Sequence, residues 1–136
     1  MTLILTLQHG SVLDISNKAN NDMEEMTMRL ENKVCIITGA GGGMGKEAAK
    51  RFAKEGGKIA VFERDSQAGK NTVDEILQDG GQASFFQVDI ANENDVKQAV
   101  VDTVQTYGKI DVLYNNAGVM PEADNSVVNT SEEIWD

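Results

Sequence analysis

The stretch with the most chemistry in it is Thr38-Gly39-Ala40-Gly41-Gly42-Gly43-Met44-Gly45, and that chemistry is the holding of a phosphate. Five of these eight residues are glycine. A backbone without Cβ atoms turns tightly and comes close to a ligand. Where a helix follows such a turn, its unpaired N–H groups and the positive end of its dipole favour an anion. Glu63 is the second candidate. It ends an apolar run twenty-four positions after Gly39, close to the ~20 at which a ribose-binding acid is expected. The third is Asn115-Asn116-Ala117-Gly118, a polar bend that follows another apolar run.

The glycine cluster admits several patterns. As a P-loop, Gly-x-x-x-x-Gly-Lys-Ser/Thr, it fails twice. Ala40 stands where the first glycine belongs, and Glu47 stands where a hydroxyl would hold magnesium. As Gly-x-Gly-x-x-Gly/Ala it is met only by Gly43, Gly45 and Ala48. Thr-Gly-x-x-x-Gly-x-Gly is met in full by Thr38, Gly39, Gly43 and Gly45. A glycine-rich surface loop with no ligand leaves unexplained the strand and helix patterns that abut the cluster. At Glu63 a carboxylate accepts hydrogen bonds from both ribose hydroxyls and repels a 2′-phosphate, which favours NAD over NADP. Arg64 pulls the other way, since a guanidinium suits a phosphate. A strand-end acid can also be plain solvated surface.

The elements that would position these residues alternate. Lys33–Ile37 reads as a buried strand, and Lys46–Lys54 as a helix with Met44, Ala48, Ala49, Phe52 and Ala53 on its apolar face. Lys58–Glu63 is a near-continuous apolar strand that suits a sheet covered on both faces. A helix over Ser66–Gln78 carries Val73, Ile76 and Leu77, and Ala83–Val88 is a third strand. Asn92 caps a third helix whose stripe is Val96, Ala99, Val100, Thr103, Val104 and Tyr107, with Gly108 as its stop. Ile110–Tyr114 is a fourth strand. The stretch from Val119 reads as loop, and Thr130 or Ser131 caps the start of a further helix.

Strands alternating with helices predict an α/β fold, a Rossmann-like doubly wound parallel sheet of order 3-2-1-4, incomplete because later strands and helices are absent. In that order strands 1 and 4 are neighbours, and a crevice opens at their carboxyl ends. Gly39–Gly45 and Asn116–Gly118, about 75 residues apart in sequence, then form its two walls.

The 136 residues suggest one domain, and 40% hydrophobic content suffices for a core. Residues 1–27 differ in character and read as a leader, with the native start expected at Met26 or Met28. A flexible arm that packs on a partner is the alternative. A partial dinucleotide-binding domain is expected over 28–136. The net charge of −10 argues against nucleic acid and anionic membrane surfaces. The single cysteine, Cys35, makes no internal disulfide, and one histidine, His9, gives no basis for a metal site or a triad. Nothing reaches the ~18 apolar residues of a membrane span. The apolar start lacks a basic flank and a cleavage site, so the expected location is cytoplasmic.

From about Arg29 to Asp136 the sequence resembles the short-chain dehydrogenase/reductase family. The resemblance rests on Thr38-Gly-x-x-x-Gly-x-Gly45, on Asp89-Ile90 after the third strand, and on Asn115-Asn116-Ala117-Gly118 after the fourth. It implies an NAD(P)-dependent oxidoreductase that moves a hydride between the nicotinamide and an alcohol/carbonyl substrate. It implies that Gly39, Gly41, Gly42, Gly43, Met44 and Gly45 hold the adenosine ribose and pyrophosphate, with Glu63 selecting NAD and Arg64 beside it. Asp89 and Ile90 touch the adenine. Asn116, Ala117 and Gly118 lie against the cofactor, while Thr38 and Asn115 brace strands 1 and 4. The family's catalytic Ser and Tyr-x-x-x-Lys have no match: Tyr107 and Tyr114 are the only tyrosines, and neither has Lys at +4. The expectation is a cofactor-binding half, inactive alone, of a parent that forms homodimers or homotetramers. A non-catalytic dinucleotide-binding module, or one half of a split enzyme, is the alternative. A methyltransferase fold shares the glycine turn and the acid, and the Asn-Asn-Ala-Gly bend argues against it.

Overall fold

The computed structural model describes residues 28–119. The expected leader over 1–27, the loop from 120 and the expected helix start at Thr130 lie outside the described residues. Within them strands and helices alternate: β1 (Val34–Thr38), α1 (Gly43–Lys54), β2 (Lys58–Glu63), α2 (Ser66–Gln78), β3 (Gln82–Gln87), α3 (Glu93–Tyr107) and β4 (Val112–Tyr114). All neighbouring strands are parallel, and the sheet order is β3-β2-β1-β4, as the alternation predicts.

The strands alternate faces with period two, and each face has its own core. Cys35, Ile37, Ile59 and Val61 point to the side of α1 and α2, where Ala49 and Ile76 meet them. Ile36, Ala60 and Phe62 point to the other side, where Val88 and Ala99 close over them and Val96 and Tyr107 of α3 pack around the edge. β1 is buried along its whole length, which is why it reads as an unbroken apolar run. Full burial of a side chain such as Ile37 or Ile59 is worth about 1.5–3 kcal/mol relative to exposure.

The helix ends show what each turn is for. Asp65 caps α2 by accepting the N–H groups of Gln67 and Ala68 at 2.9 and 3.0 Å. Asn92 caps α3 through Asn94 and Asp95, and Gly108 closes it in the left-handed region at φ 84°. α1 differs. Its N-cap is Gly42, which has no side chain to accept a hydrogen bond. The first amides of α1 are left for another acceptor.

Several boundaries and faces depart from the sequence reading. α1 begins at Gly43 rather than Lys46, because the glycine turn itself supplies the cap and the first turn. Met44 is 79% exposed, and the buried positions of α1 are Gly45 and Ala49. Met44 therefore does not belong to the apolar stripe; the glycine beside it does. Leu77, 51% exposed, likewise lies off the buried face of α2, which is Gly69, Thr72 and Ile76. On α3 only Ala99 and Thr103 are buried, while Val100 and Val104 face outward. β4 starts at Val112, two residues later than expected. Asp111 explains this: its N–H donates to the Val34 carbonyl at 2.9 Å, and its Oδ2 accepts the Val34 N–H at 2.8 Å. A side chain replaces a strand carbonyl in the first rung.

Candidate functional site

The site begins where β1 ends. Gly39 donates its N–H to the Phe62 carbonyl at 2.8 Å, extending the ladder with β2 by one rung. It then turns in the left-handed region at φ 65°, where glycine is favoured. A Cβ on Gly39 would stand 2.9 Å from Ala117 Cα, so the bend after β1 is pressed against the bend after β4. Gly45 is tighter still. A Cβ there would collide with the Gly39 carbonyl oxygen and lie 2.5 Å from Asn116 Nδ2. Gly42 and Gly43 face open space, with nothing within 4 Å of a built Cβ.

Thr38 and Asn116 hold the two bends together. Thr38 Oγ1 accepts the N–H of Asn116 at 3.0 Å and of Ala117 at 3.1 Å. The Asn116 carboxamide Nδ2 donates to the Thr38 carbonyl at 3.1 Å and to the Gly39 carbonyl at 3.2 Å. Both partners are carbonyls, so only the nitrogen side of the amide can face them. The bracing expected of Thr38 is present. The bracing expected of Asn115 is made by Asn116 instead, and Asn115 is exposed. Which of two adjacent asparagines turns back is set by the alternation of faces at the end of β4, where residue 116 points to the β1 loop.

A crevice of about 610 Å³ opens beside this junction, at the carboxyl ends of the strands. Of the residues read from sequence, Gly39, Glu63, Arg64, Asp89, Ile90, Asn116, Ala117 and Gly118 line it. Gly41, Gly42, Gly43, Met44 and Gly45 do not; they form the turn behind the Gly39 wall. Phe62, Val88, Ala91 and Val119 also line it, and the sequence reading did not single them out. Phe62 is the penultimate residue of β2 and Val88 follows β3 directly, and buried apolar residues at the carboxyl ends of strands are the signal that would have found them.

Charge is unevenly placed around the crevice. Glu63 is half-buried, and its carboxylate accepts the N–H of Gly41 and of Asp65, both at 3.0 Å. Asp89 Oδ1 accepts the Ala91 N–H at 3.0 Å, which fixes the turn into α3. Arg64 is exposed. The uncapped amides of α1 lie beyond Gly41. Carboxylate acceptors therefore line the crevice, and the uncapped amides of α1 lie in the turn behind its Gly39 wall. The cradle fits a dinucleotide: a glycine turn whose open side a Cβ would narrow, an acid at the end of β2, and an apolar floor from Phe62, Val88 and Ile90.

Neither tyrosine lines the crevice. Tyr107 lies under α3, its hydroxyl donating to Ser84 Oγ at 2.8 Å, and burial pushes its pKa up. Tyr114 packs on Phe52 with ring centroids 6.0 Å apart. Among the described residues, no cluster of three or more His, Cys, Asp or Glu is placed to hold a metal, and no helix is long and apolar enough to cross a membrane.

The short chain dehydrogenase family model matches residues 33–136. An uncharacterized oxidoreductase of Thermotoga maritima is 44% identical over 109 residues, which is 80% of this chain and 42% of that protein. Short-chain dehydrogenase reductase 3a of Arabidopsis thaliana is 39% identical, over 80% of this chain and 41% of its own. Among solved structures, a 7α-hydroxysteroid dehydrogenase complexed with NADH and 7-oxo glycochenodeoxycholic acid superposes with a TM-score of 0.68 at 40% identity, covering 74% of this chain and 42% of that one. The chain thus spans about two-fifths of the length of the relatives it matches.

Proposed function

The chain belongs to the short-chain dehydrogenase family, and from that premise we propose that it is the cofactor-holding part of an NAD-dependent oxidoreductase acting on an alcohol/carbonyl pair. The observation that carries this reading is the junction of two bends, 78 positions apart, closed by Thr38 and Asn116 on a crevice with Glu63 at its rim. In this reading Glu63 receives the adenosine ribose, and Asp89 and Ile90 flank the adenine. The amides from Gly42 to Gly45 face the diphosphate. Asn116, Ala117 and Gly118 form the wall toward the nicotinamide. The nicotinamide, when bound, supplies the hydride acceptor or donor. The chain's own part is to bind and orient.

Glu63 gives the preference for NAD over NADP, because a carboxylate and a 2′-phosphate repel each other at close range. Arg64, exposed at the same rim, offsets part of that repulsion. The relative solved with NADH supports the cofactor class. Neither Tyr107 nor Tyr114 has Lys at +4, so in this reading the 136-residue stretch binds cofactor without turnover. The full-length parent is a homodimer or homotetramer in this reading, located in the cytoplasm, with partners that are small molecules and neither nucleic acid nor membrane.

Calorimetric titration of the 136-residue chain tests the proposal. NAD binds, NADP binds at least ~10-fold more weakly, equivalent to about 1.4 kcal/mol, and S-adenosylmethionine does not bind. Binding of S-adenosylmethionine in place of NAD would overturn it, and so would turnover of an alcohol with NAD by the chain alone. A second reading, a non-catalytic module or one half of a split enzyme, shares with the first that Tyr107 is committed to the sheet through Ser84. Restored turnover on mixing with a separate chain that carries Tyr-x-x-x-Lys would single out the split enzyme.

A further inference from the structure

Glu63 holds two loops at once. Its Oε2 accepts the Gly41 N–H and its Oε1 accepts the Asp65 N–H, each at 3.0 Å. The first bond reaches 22 positions back into the glycine turn. The second fixes the residue that caps α2. The turn also lies directly on this side chain. A Cβ on Gly41 would stand 2.7 Å from Glu63 Cγ and 2.8 Å from Ala68 Cβ, whereas Gly42 and Gly43 have nothing within 4 Å. The carboxylate of Glu63 is therefore the last group to fix the turn before it enters open space. An acid that only reads a ribose needs no bond to that turn.

We propose that Glu63 is a positioning residue for the glycine turn, so that recognition of ribose and of phosphate is coupled through one side chain. An ionised carboxylate offers about four lone-pair directions. Two are taken by backbone, and the others remain for hydroxyls. The Gly41 amide is occupied by Glu63, so contacts to an oxyanion fall to the amides from Gly42 onward. It follows that replacing Glu63 by a neutral or basic residue, the direct way to admit a 2′-phosphate, also releases the turn. The ligand consequence rests on the dinucleotide reading above; the positioning role does not.

Amide hydrogen exchange on the 136-residue chain reads the role without ligand. In Glu63→Ala the Gly41 amide exchanges ~10-fold faster or more, while the Ile36 and Val61 amides in the strands are unchanged. Glu63→Gln puts an amide nitrogen where one of the two oxygens was, and the remaining oxygen is shared between the Gly41 and Asp65 N–H groups, so Gly41 exchanges faster than in the wild type and more slowly than in Glu63→Ala. Inorganic pyrophosphate, which has no ribose, binds several-fold more weakly to Glu63→Ala even though a negative charge has been removed. Unchanged Gly41 exchange in Glu63→Ala, or pyrophosphate binding that is equal or tighter, would overturn the coupling. If Glu63→Ala loses strand protection as well, the same two measurements on Glu63→Gln decide. If the wild-type chain binds neither pyrophosphate nor NAD while Gly41 responds as expected, the dinucleotide reading falls and the positioning role stands.

Discussion

Thr38 Oγ1 accepts two amides from the opposite bend, those of Asn116 and Ala117. Thr38→Val keeps the shape and removes the acceptor, leaving two partly buried N–H groups unpaired. That costs about 1–3 kcal/mol, read as a lower denaturant midpoint, and Thr38→Ser recovers most of it. Asp111 acts at the other end of the same pair of strands. The Val34 N–H and then the Lys109 ammonium, 3.0 Å away, hold its carboxyl below the ordinary carboxylate range. A depressed folded-state pKa stabilises fully above the unfolded value, about pH 4, and that contribution is lost as pH falls through the folded value. Glu55 and Glu75 shift the same way, through the Arg29 N–H and Lys46 respectively. Asp111→Asn should therefore flatten the fall of stability in acid, measured by denaturation from neutral pH to about pH 3. At this scale the sequence was only partly legible. Thr38, Glu63 and the Asn-Asn-Ala-Gly bend announce themselves by type and spacing. That Asn116 rather than Asn115 turns back, and that Asp111 replaces a strand carbonyl, depends on where β4 begins, which spacing alone does not define.

Elements were easier to read than the residues that join them. β2 and α2 have the bounds expected from sequence, because an apolar run ends in an acid and a capping Asp follows at once. The faces of the helices were harder. Met44 and Leu77 fit a periodic stripe by count, but α1 and α2 come so close to the sheet that glycine and threonine occupy the contact positions. Gly69 shows how close: a Cβ there would strike the Phe85 ring and lie 3.2 Å from Glu63 Cβ. Alanine gains about 1 kcal/mol in helix propensity over glycine, while overpacking costs about 1–3 kcal/mol. Gly69→Ala should be net destabilising by thermal denaturation, whereas Leu77→Gln on the exposed side should change stability by less than ~0.5 kcal/mol.

At the scale of the molecule, apolar surface collects around β4. Leu113 is 57% exposed. A groove of about 490 Å³ runs beside it over Ile36, Ile90, Val96, Val100 and Ile110. Surface of this kind favours association. Leu113→Lys should reduce concentration-dependent sedimentation of the chain and leave its denaturant midpoint nearly unchanged. An association state that is identical in the two proteins would show that this surface is not responsible.

The β1/β4 seam has one more implication, for the order in which the molecule is made. Its two fastenings, Val34 with Asp111 and Thr38 with Asn116, join partners 77 and 78 positions apart. β1 can pair with β2 early in synthesis, but its other flank stays bare until residue 117 has left the ribosome. Closing so long a loop is slow relative to local pairing. Among the described residues the crevice is therefore the last feature to assemble, and a nascent chain halted before Asn116 would carry the glycine turn with nothing opposite it.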